Sequence, residues 1–196
     1  MSEEEIIRGC LKYEHASQHE LYDTYFGKMM HICIRYAKSQ QEAKAILLDG
    51  FKNIFNGFRN YADANGKKTK DSPPIALEDW IKKEMIASAV RHMHANKKEY
   101  FVSSTVSMRD SEKQAGVEVS DEQIIKSADK KMIIGALHQL TPSYRVIFNL
   151  HELDGYSHLE ISKLLDISEY TSKDSLSKAK FNLRKTLSRS IPKQPA

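Results

Sequence analysis

Cationic and hydroxyl side chains cluster near the C-terminus of the 196-residue chain. Their types and spacing suit the binding of a nucleic acid, which offers negatively charged phosphates and base edges that form hydrogen bonds. From residue 169 onward seven lysines and arginines stand against two acids, an excess of +5, whereas the whole chain carries +4. Lysines can neutralise phosphates, and hydroxyl or carboxyl groups can bond to base edges. We predict that this stretch contacts DNA through Tyr170, Thr171, Lys173, Asp174, Ser175 and Lys178. A solvated helix face rich in lysine is the alternative interpretation.

A helix-turn-helix would position these side chains. Ser157 and Glu160 have the spacing of a capping box, which predicts the start of a helix, and a tight turn follows at residues 166–168. The next helix has a stripe of small and apolar residues at helical spacing: Ser172, Leu176, Ala179, Leu183 and Leu187. With that stripe inward, the polar candidates face outward, as in a helix that enters a major groove. Ser157 and Arg145 join the candidate DNA contacts.

Two further helices are predicted before this pair. Thr141 and Pro142 favour a helix start, because proline lacks the N–H that a first turn leaves unbonded. Asp154 and Gly155 favour the turn that ends this helix, and an apolar pattern over residues 127–140 predicts another one. We therefore assign residues 125–191 to a helix-turn-helix DNA-binding domain.

The N-terminal half has the periodicity of a separate helical domain, residues 1–98. Apolar residues recur every three or four positions over residues 17–38, 40–61 and from 76 onward, with a basic, turn-rich loop at 62–74. Residues 99–124 lack this periodicity and predict a linker. The predicted fold is all-α: two small helical domains joined by a flexible linker, the second a four-helix domain containing a helix-turn-helix.

Composition argues against several other functions. Cys10 and Cys33 are the only cysteines, and neither a charged-then-apolar leader nor a membrane-length apolar run is seen. We therefore expect a cytoplasmic protein without membrane insertion. An enzyme is disfavoured, because His92 and His94 diverge on a helix and neither a phosphate-binding glycine loop nor a metal signature appears. We expect no catalytic residue, metal or cofactor.

Three sequences carry a family resemblance: LTPSYRVIFNL at residues 140–150, ELDGYSHLEI at 152–161 and LDIS at 165–168. The first domain adds looser landmarks at residues 36–37, 42–43, 51 and 80–81. On these residues the chain resembles the extracytoplasmic-function (ECF) sigma factors of bacterial RNA polymerase over almost its whole length. The resemblance implies a protein that directs core polymerase to specific promoters and initiates transcription. Its implied partners are core RNA polymerase, promoter DNA and an anti-sigma factor.

The resemblance also implies roles for the first domain. In the family this domain docks on a coiled coil of the largest polymerase subunit and melts the minus-ten element, whereas the second domain reads the minus-thirty-five element. By position, the implied polymerase contacts are Glu42, Asp49 and Asn53. Strand opening would fall to the loop after Tyr61, with DNA contacts at Trp80, Lys83, Arg91 and Lys97. An aromatic ring can stack on an unpaired base, although Trp80 is equally interpreted as a core anchor.

The sequence departs from the family pattern in both functional helices. In the docking helix, an acidic pair and a glutamine are replaced by Lys44, Ala45 and Leu48. In the recognition helix Ser175 replaces an arginine, and Asp174 either repels phosphate or accepts from cytosine N4. Asp166 stands where glycine is common in the turn. The second hypothesis is therefore a sigma-like helix-turn-helix DNA-binding regulator, or an anti-sigma decoy, that does not dock on core polymerase.

Overall fold

The computed structural model describes residues 1–66, 74–95 and 129–190. The chain divides into two compact units, residues 1–92 and 93–196. The described residues form helices and short connections without any strand, so the all-α prediction is confirmed for them. The predicted linker, residues 99–124, and the candidate Lys97 lie outside the described residues.

The first unit contains α1 (Glu3–Leu11), α2 (His15–Tyr36), α3 (Gln40–Gly66) and α4 (Leu77–Ala95) as far as His92. Apolar side chains spaced by three and four residues turn one face of each helix inward. The largest fully buried side chains here are Leu21, Met29, Tyr36, Ile46, Leu47, Ile54, Phe58, Leu77, Ile81, Met85 and Ile86. Gly50 permits close packing of α3 on α4, because a side chain there would collide with Met85.

α3 continues to Gly66, beyond the end that the periodicity predicts at Tyr61. The Tyr61 hydroxyl donates to the carbonyl oxygen of Ile75 at 3.1 Å. The Asn65 amide donates to the same carbonyl and accepts from the Ile75 N–H, both at 3.1 Å. These bonds hold the last turn of α3 to the segment before α4. The prediction of a loop was therefore wrong for residues 62–66, because local turn propensity is outweighed by tertiary hydrogen bonds.

The second unit contains α5 (Lys130–Gln139), α6 (Pro142–Phe148), α7 (His158–Leu165) and α8 (Glu169–Ser190). α6 runs on into a π-helical segment, Asn149–Leu153. This segment ends where the Asp154 N–H donates to the Asn149 carbonyl and the Tyr156 N–H to the Leu150 carbonyl, each at 2.9 Å. Gly155 follows with a φ of 78°, in the left-handed region that glycine adopts without strain.

α5 and α8 share one hydrophobic core. Its buried members are Ala136, Leu137, Leu140, Ala179 and Leu183, with Tyr144, Phe148 and Leu187 packed against them. α6 and α7 bury Val146, Ile147, Ile161 and Leu165. Because α8 buries Leu176, Ala179 and Leu183, the orientation of its polar face is fixed by packing.

Candidate nucleic-acid interface

α7 and α8 form the predicted helix-turn-helix, and local hydrogen bonds set its geometry. Ser157 Oγ accepts from the Glu160 N–H at 3.2 Å, and the Glu160 carboxylate accepts from the Ser157 N–H at 2.8 Å, which completes the predicted capping box. α7 ends at Asp166, whose φ of 55° and ψ of 52° lie in the left-handed region. Ser168 Oγ then accepts from the Thr171 N–H at 3.0 Å, which caps the start of α8.

The inward stripe of α8 is buried as the spacing predicts. Ser172 and Ala179 are fully buried, Leu176 and Leu183 nearly so, and Leu187 is half-buried. The opposite face carries four of the candidate contacts on exposed or half-buried positions: Tyr170, Lys173, Asp174 and Lys178. Tyr170 is the extreme case, with 79% of its surface exposed. Thr171 is also exposed, at the first turn of α8.

Two candidate contacts are not brought to that face. Ser175 is only 8% exposed and Arg145 only 3% exposed. Ser175 lies three residues after Ser172 and therefore borders the inward stripe. Arg145 lies on α6 directly before the buried Val146 and Ile147. Ser157 is exposed, but both its hydroxyl and its N–H bind Glu160, so its first role is to cap α7.

Ion pairs modulate the positive charge of α8. Lys178 Nζ donates to Asp174 Oδ2 at 2.7 Å, and this hydrogen bond raises the pKa of Lys178. Lys173 Nζ lies 4.0 Å from Glu169 Oε2, a much weaker association. Lys178, one turn further along the same helix, therefore pairs with Asp174 and balances its negative charge in the absence of DNA.

A histidine pair that the sequence reasoning missed ties α7 to α8. The rings of His151 and His158 stack with centroids 4.4 Å apart, and His158 Nδ1 lies 2.8 Å from the hydroxyl oxygen of the buried Ser172. Burial lowers the pKa of His158, and the charges of His151 and Lys173 lower it further. The contact of His158 with Ser172 therefore couples the first residue of α7 to the inward stripe of α8.

Glu152 extends this connection to the middle of α8. Its Oε1 accepts from Lys180 Nζ at 2.9 Å and lies 2.8 Å from His151 Nδ1. Burial acts to raise the pKa of Glu152, but the hydrogen bonds from Lys180 and His151 outweigh it and hold the pKa below its ordinary value. The π-helical segment that carries Glu152 is therefore braced against α8.

Residues 130–182 match the family model of Sigma-70, region 4. The matched segment contains α5, α6, α7 and most of α8, and thus the whole helix-turn-helix. For this segment the match supports the resemblance to sigma factors at the level of the sigma-70 family, and it supports a DNA-binding helix-turn-helix. A comparison with curated proteins finds no match.

The three residues of α3 that the resemblance implies as polymerase contacts differ in their hydrogen-bond partners and in their exposure. Glu42 Oε1 lies 3.2 Å from His92 Nε2, and Glu42 Oε2 accepts from the Lys38 N–H. Asn53 Nδ2 donates to Asp49 Oδ2 at 3.2 Å and to Ser88 Oγ at 3.3 Å. Glu42 and Asn53 thus hold α3 to α4, whereas Asp49 is exposed.

A polar cavity of about 300 Å³ lies between α3 and α4 and includes two of the implied strand-opening residues. Its lining residues are Asn53, Asn56, Gly57, Asn60, Trp80, Glu84 and Arg91. The asparagines repeat at positions 53, 56 and 60, a helical spacing that could have revealed Asn56 and Asn60 from the sequence. The exposed Lys83 is absent from the lining.

Trp80 is half-buried, packs against two core aromatic residues and lines this cavity. Its ring centroid lies 5.2 Å from that of Phe58, edge to face, and 4.8 Å from that of Tyr61. A Cβ atom at Gly57 would lie 3.3 Å from the Trp80 ring, so the glycine lets the indole approach α3 closely. At the far end Arg91 Nη2 donates to Ser88 Oγ at 2.7 Å. Both interpretations of Trp80 are therefore compatible with its position.

Within the described ranges no group of three or more His, Cys, Asp or Glu side chains is placed to hold a metal ion. His92, one of the two histidines considered for such a site, contacts Glu42. None of the described helices has the length and apolar character needed to cross a membrane.

Proposed function

We propose that the protein is an RNA polymerase sigma factor of the ECF type, which directs core polymerase to specific promoters. The observation that carries this proposal is the helix-turn-helix with an outward cationic face, inside a segment that matches Sigma-70, region 4. The proposed domains are residues 1–98 for polymerase docking and promoter melting, 99–124 as linker and 125–191 for DNA binding. We assign the protein to the cytoplasm, where its DNA and polymerase partners are found.

In the second domain α8 enters the major groove. Lys173 and Lys178 neutralise phosphates, and Tyr170 and Thr171 contact the groove at the exposed first turn of the helix. Phosphate competes with Asp174 for Lys178, and a released Asp174 carboxylate can accept from cytosine N4. The His158–Ser172 contact keeps α7 and α8 in one orientation during this exchange.

In the first domain the α3–α4 cavity holds an unpaired base. Trp80 offers an aromatic face for stacking, and the amides of Asn56 and Asn60 offer donors and acceptors for a base edge. The exposed cations Lys83 and Arg91 attract the DNA backbone. These groups hold an opened strand by binding alone and need no covalent chemistry.

Each domain alone binds weakly, and polymerase sets the spacing at which both engage a promoter. The linker then raises the effective concentration of the second contact once the first has formed. An anti-sigma factor that clamps either surface would suppress both.

Run-off transcription with purified core polymerase and promoter fragments selected from genomic DNA tests the proposal. We expect discrete transcripts only when the chain is added. The alternative is a sigma-like DNA-binding regulator or an anti-sigma decoy, and one observation favours it. Glu42 contacts His92 of α4 and the Lys38 N–H, and Asn53 donates to Ser88 of α4, so both side chains are engaged within their own unit. Promoter binding without core, combined with no measurable affinity for core, would establish that alternative.

A further inference from the structure

Glu84 is a half-buried carboxylate in the lining of the α3–α4 cavity, and it has no role in the proposed function. Within residues 1–66, 74–95 and 129–190 it forms neither an ion pair nor a hydrogen bond. A carboxylate that is partly withdrawn from water without a donor raises the free energy of the protein. A ligand that supplies N–H donors to the two oxygens removes this cost, so Glu84 indicates what the cavity binds.

The three side chains that α4 contributes to the lining lie on one face of the helix. Trp80 precedes Glu84 by four residues, about one turn, and Arg91 follows it by seven, about two turns. Arg91 Nη2 donates to the hydroxyl oxygen of the fully buried Ser88 at 2.7 Å, and this contact orients the guanidinium. Along α4 the cavity therefore presents an aromatic ring, a group that only accepts hydrogen bonds and a group that only donates them.

Among the four DNA bases, guanine matches this order of groups best. Its ring N–H and its amino group lie side by side and can bond both oxygens of one carboxylate, while its O6 and N7 accept from an arginine. Adenine and cytosine place a ring nitrogen with a lone pair beside their amino group, so only one carboxylate oxygen finds a donor. The single N–H of thymine lies between two carbonyl oxygens, and these repel a carboxylate.

We propose that the α3–α4 cavity selects guanine and that Glu84 determines this selectivity. The proposal rests on the proposed function, which places an unpaired base in this cavity. The base stacks on Trp80, donates from its ring N–H and amino group to Glu84, and accepts from Arg91 at O6 and N7. The guanine can belong to an opened DNA strand or to a free nucleotide, because the groups that are recognised are the same in both.

Binding of single-stranded DNA to the full chain tests this selectivity. Short labelled oligothymidines that differ only in their central base are titrated with the protein at constant salt and followed by fluorescence anisotropy. We expect the oligonucleotide with a central guanine to bind about tenfold more tightly than the one with thymine throughout. Unlabelled guanosine monophosphate is then added as competitor. Displacement of the guanine oligonucleotide would identify a free nucleotide as a second source of the base, and retention would restrict the cavity to DNA strands; guanine is the bound base in both cases.

Glu84→Gln replaces a group that only accepts by an amide that also donates. The ratio of the Kd for thymine to the Kd for guanine should fall from about ten to about one. This ratio is the readout, because the loss of a negative charge by itself strengthens the binding of every oligonucleotide alike. The matched control is Asp79→Asn, which removes a charge from an exposed position of the same helix outside the lining and should keep the parental ratio. Thermal melting of both variants checks that the fold is retained.

Equal binding of all four oligonucleotides, binding of none of them, or a preference for guanine that survives Glu84→Gln overturns the inference. Run-off transcription separates this failure from failure of the proposed function. If discrete transcripts still depend on the chain, the proposed function stands without selectivity for guanine in this cavity. If no transcript forms and no oligonucleotide binds, both fail.

Discussion

Replacing Lys173 with alanine tests whether α8 meets phosphate. Its side chain is 62% exposed and its Nζ lies 4.0 Å from Glu169 Oε2, so the substitution removes a solvated charge. We therefore expect the free energy of unfolding to change by less than about 0.5 kcal/mol. One lost phosphate contact should lower the slope of log affinity against log salt by about 0.9. Lys178→Ala should change the slope by less, because Asp174 already holds Lys178 at 2.7 Å.

The assay is fluorescence anisotropy of a labelled promoter duplex titrated with the full chain over a series of salt concentrations. Lys12→Ala, which removes an exposed lysine of the first unit, serves as the control and should keep the parental slope. Identical slopes for the parent, Lys173→Ala and Lys178→Ala would refute the assignment of this face to DNA. A larger change for Lys178→Ala than for Lys173→Ala would show instead that the Asp174 pair does not compete with phosphate.

Four further predictions concern single residues. Leu176→Ala should destabilise the second unit by about 2–5 kcal/mol in urea unfolding, because Leu176 is buried, whereas the exposed Ser177→Ala should stay within about 0.5 kcal/mol. The pKa of His158 is lower in the folded protein than its ordinary value of 6.5, so protonation of this ring favours the unfolded state. The stability that His158 contributes is therefore present above pH 6.5 and is lost as the pH falls through the lowered pKa. His158→Gln should therefore show a smaller loss of melting temperature on acidification, and an unchanged loss would contradict this. Asp166→Gly should stabilise the second unit by about 1 kcal/mol, measured by thermal melting, because glycine adopts the φ of 55° without strain. Asn60→Ala should reduce permanganate reactivity of the opened promoter strand at an unchanged melting temperature, since Asn60 is exposed and lines the cavity.

Features of the second unit that depend on short sequence spacing were predictable. The capping box at Ser157 and Glu160 and the inward stripe through Leu176 both follow from positions three or four residues apart, which is the range over which helical geometry acts. The left-handed Asp166 lies where the sequence predicts a turn. Local rules therefore suffice for the helix-turn-helix itself.

Features that depend on tertiary contacts were not predictable. The end of α3 is set by Ile75, ten residues after Asn65, and no local pattern encodes that pairing. Glu42 has the residue type and position of a docking carboxylate, but it contacts His92, a residue 50 positions away in sequence. Arg145 has the charge of a DNA contact, and only the packing of α6 shows that it is buried. Residue type gives the available chemistry, and tertiary packing determines which groups can reach a partner.

The carboxylate that faces Lys178 has a consequence for selectivity. If Lys178 meets phosphate, every duplex must first displace Asp174, and this cost is the same for all sequences because the backbone is uniform. Indiscriminate attraction to bulk chromosomal DNA is thereby reduced, while contacts to particular base edges keep their full value. Asp174 thus lowers the overall affinity of α8 for DNA but raises its selectivity among sequences. Fewer copies of the protein are then held on DNA away from their promoters.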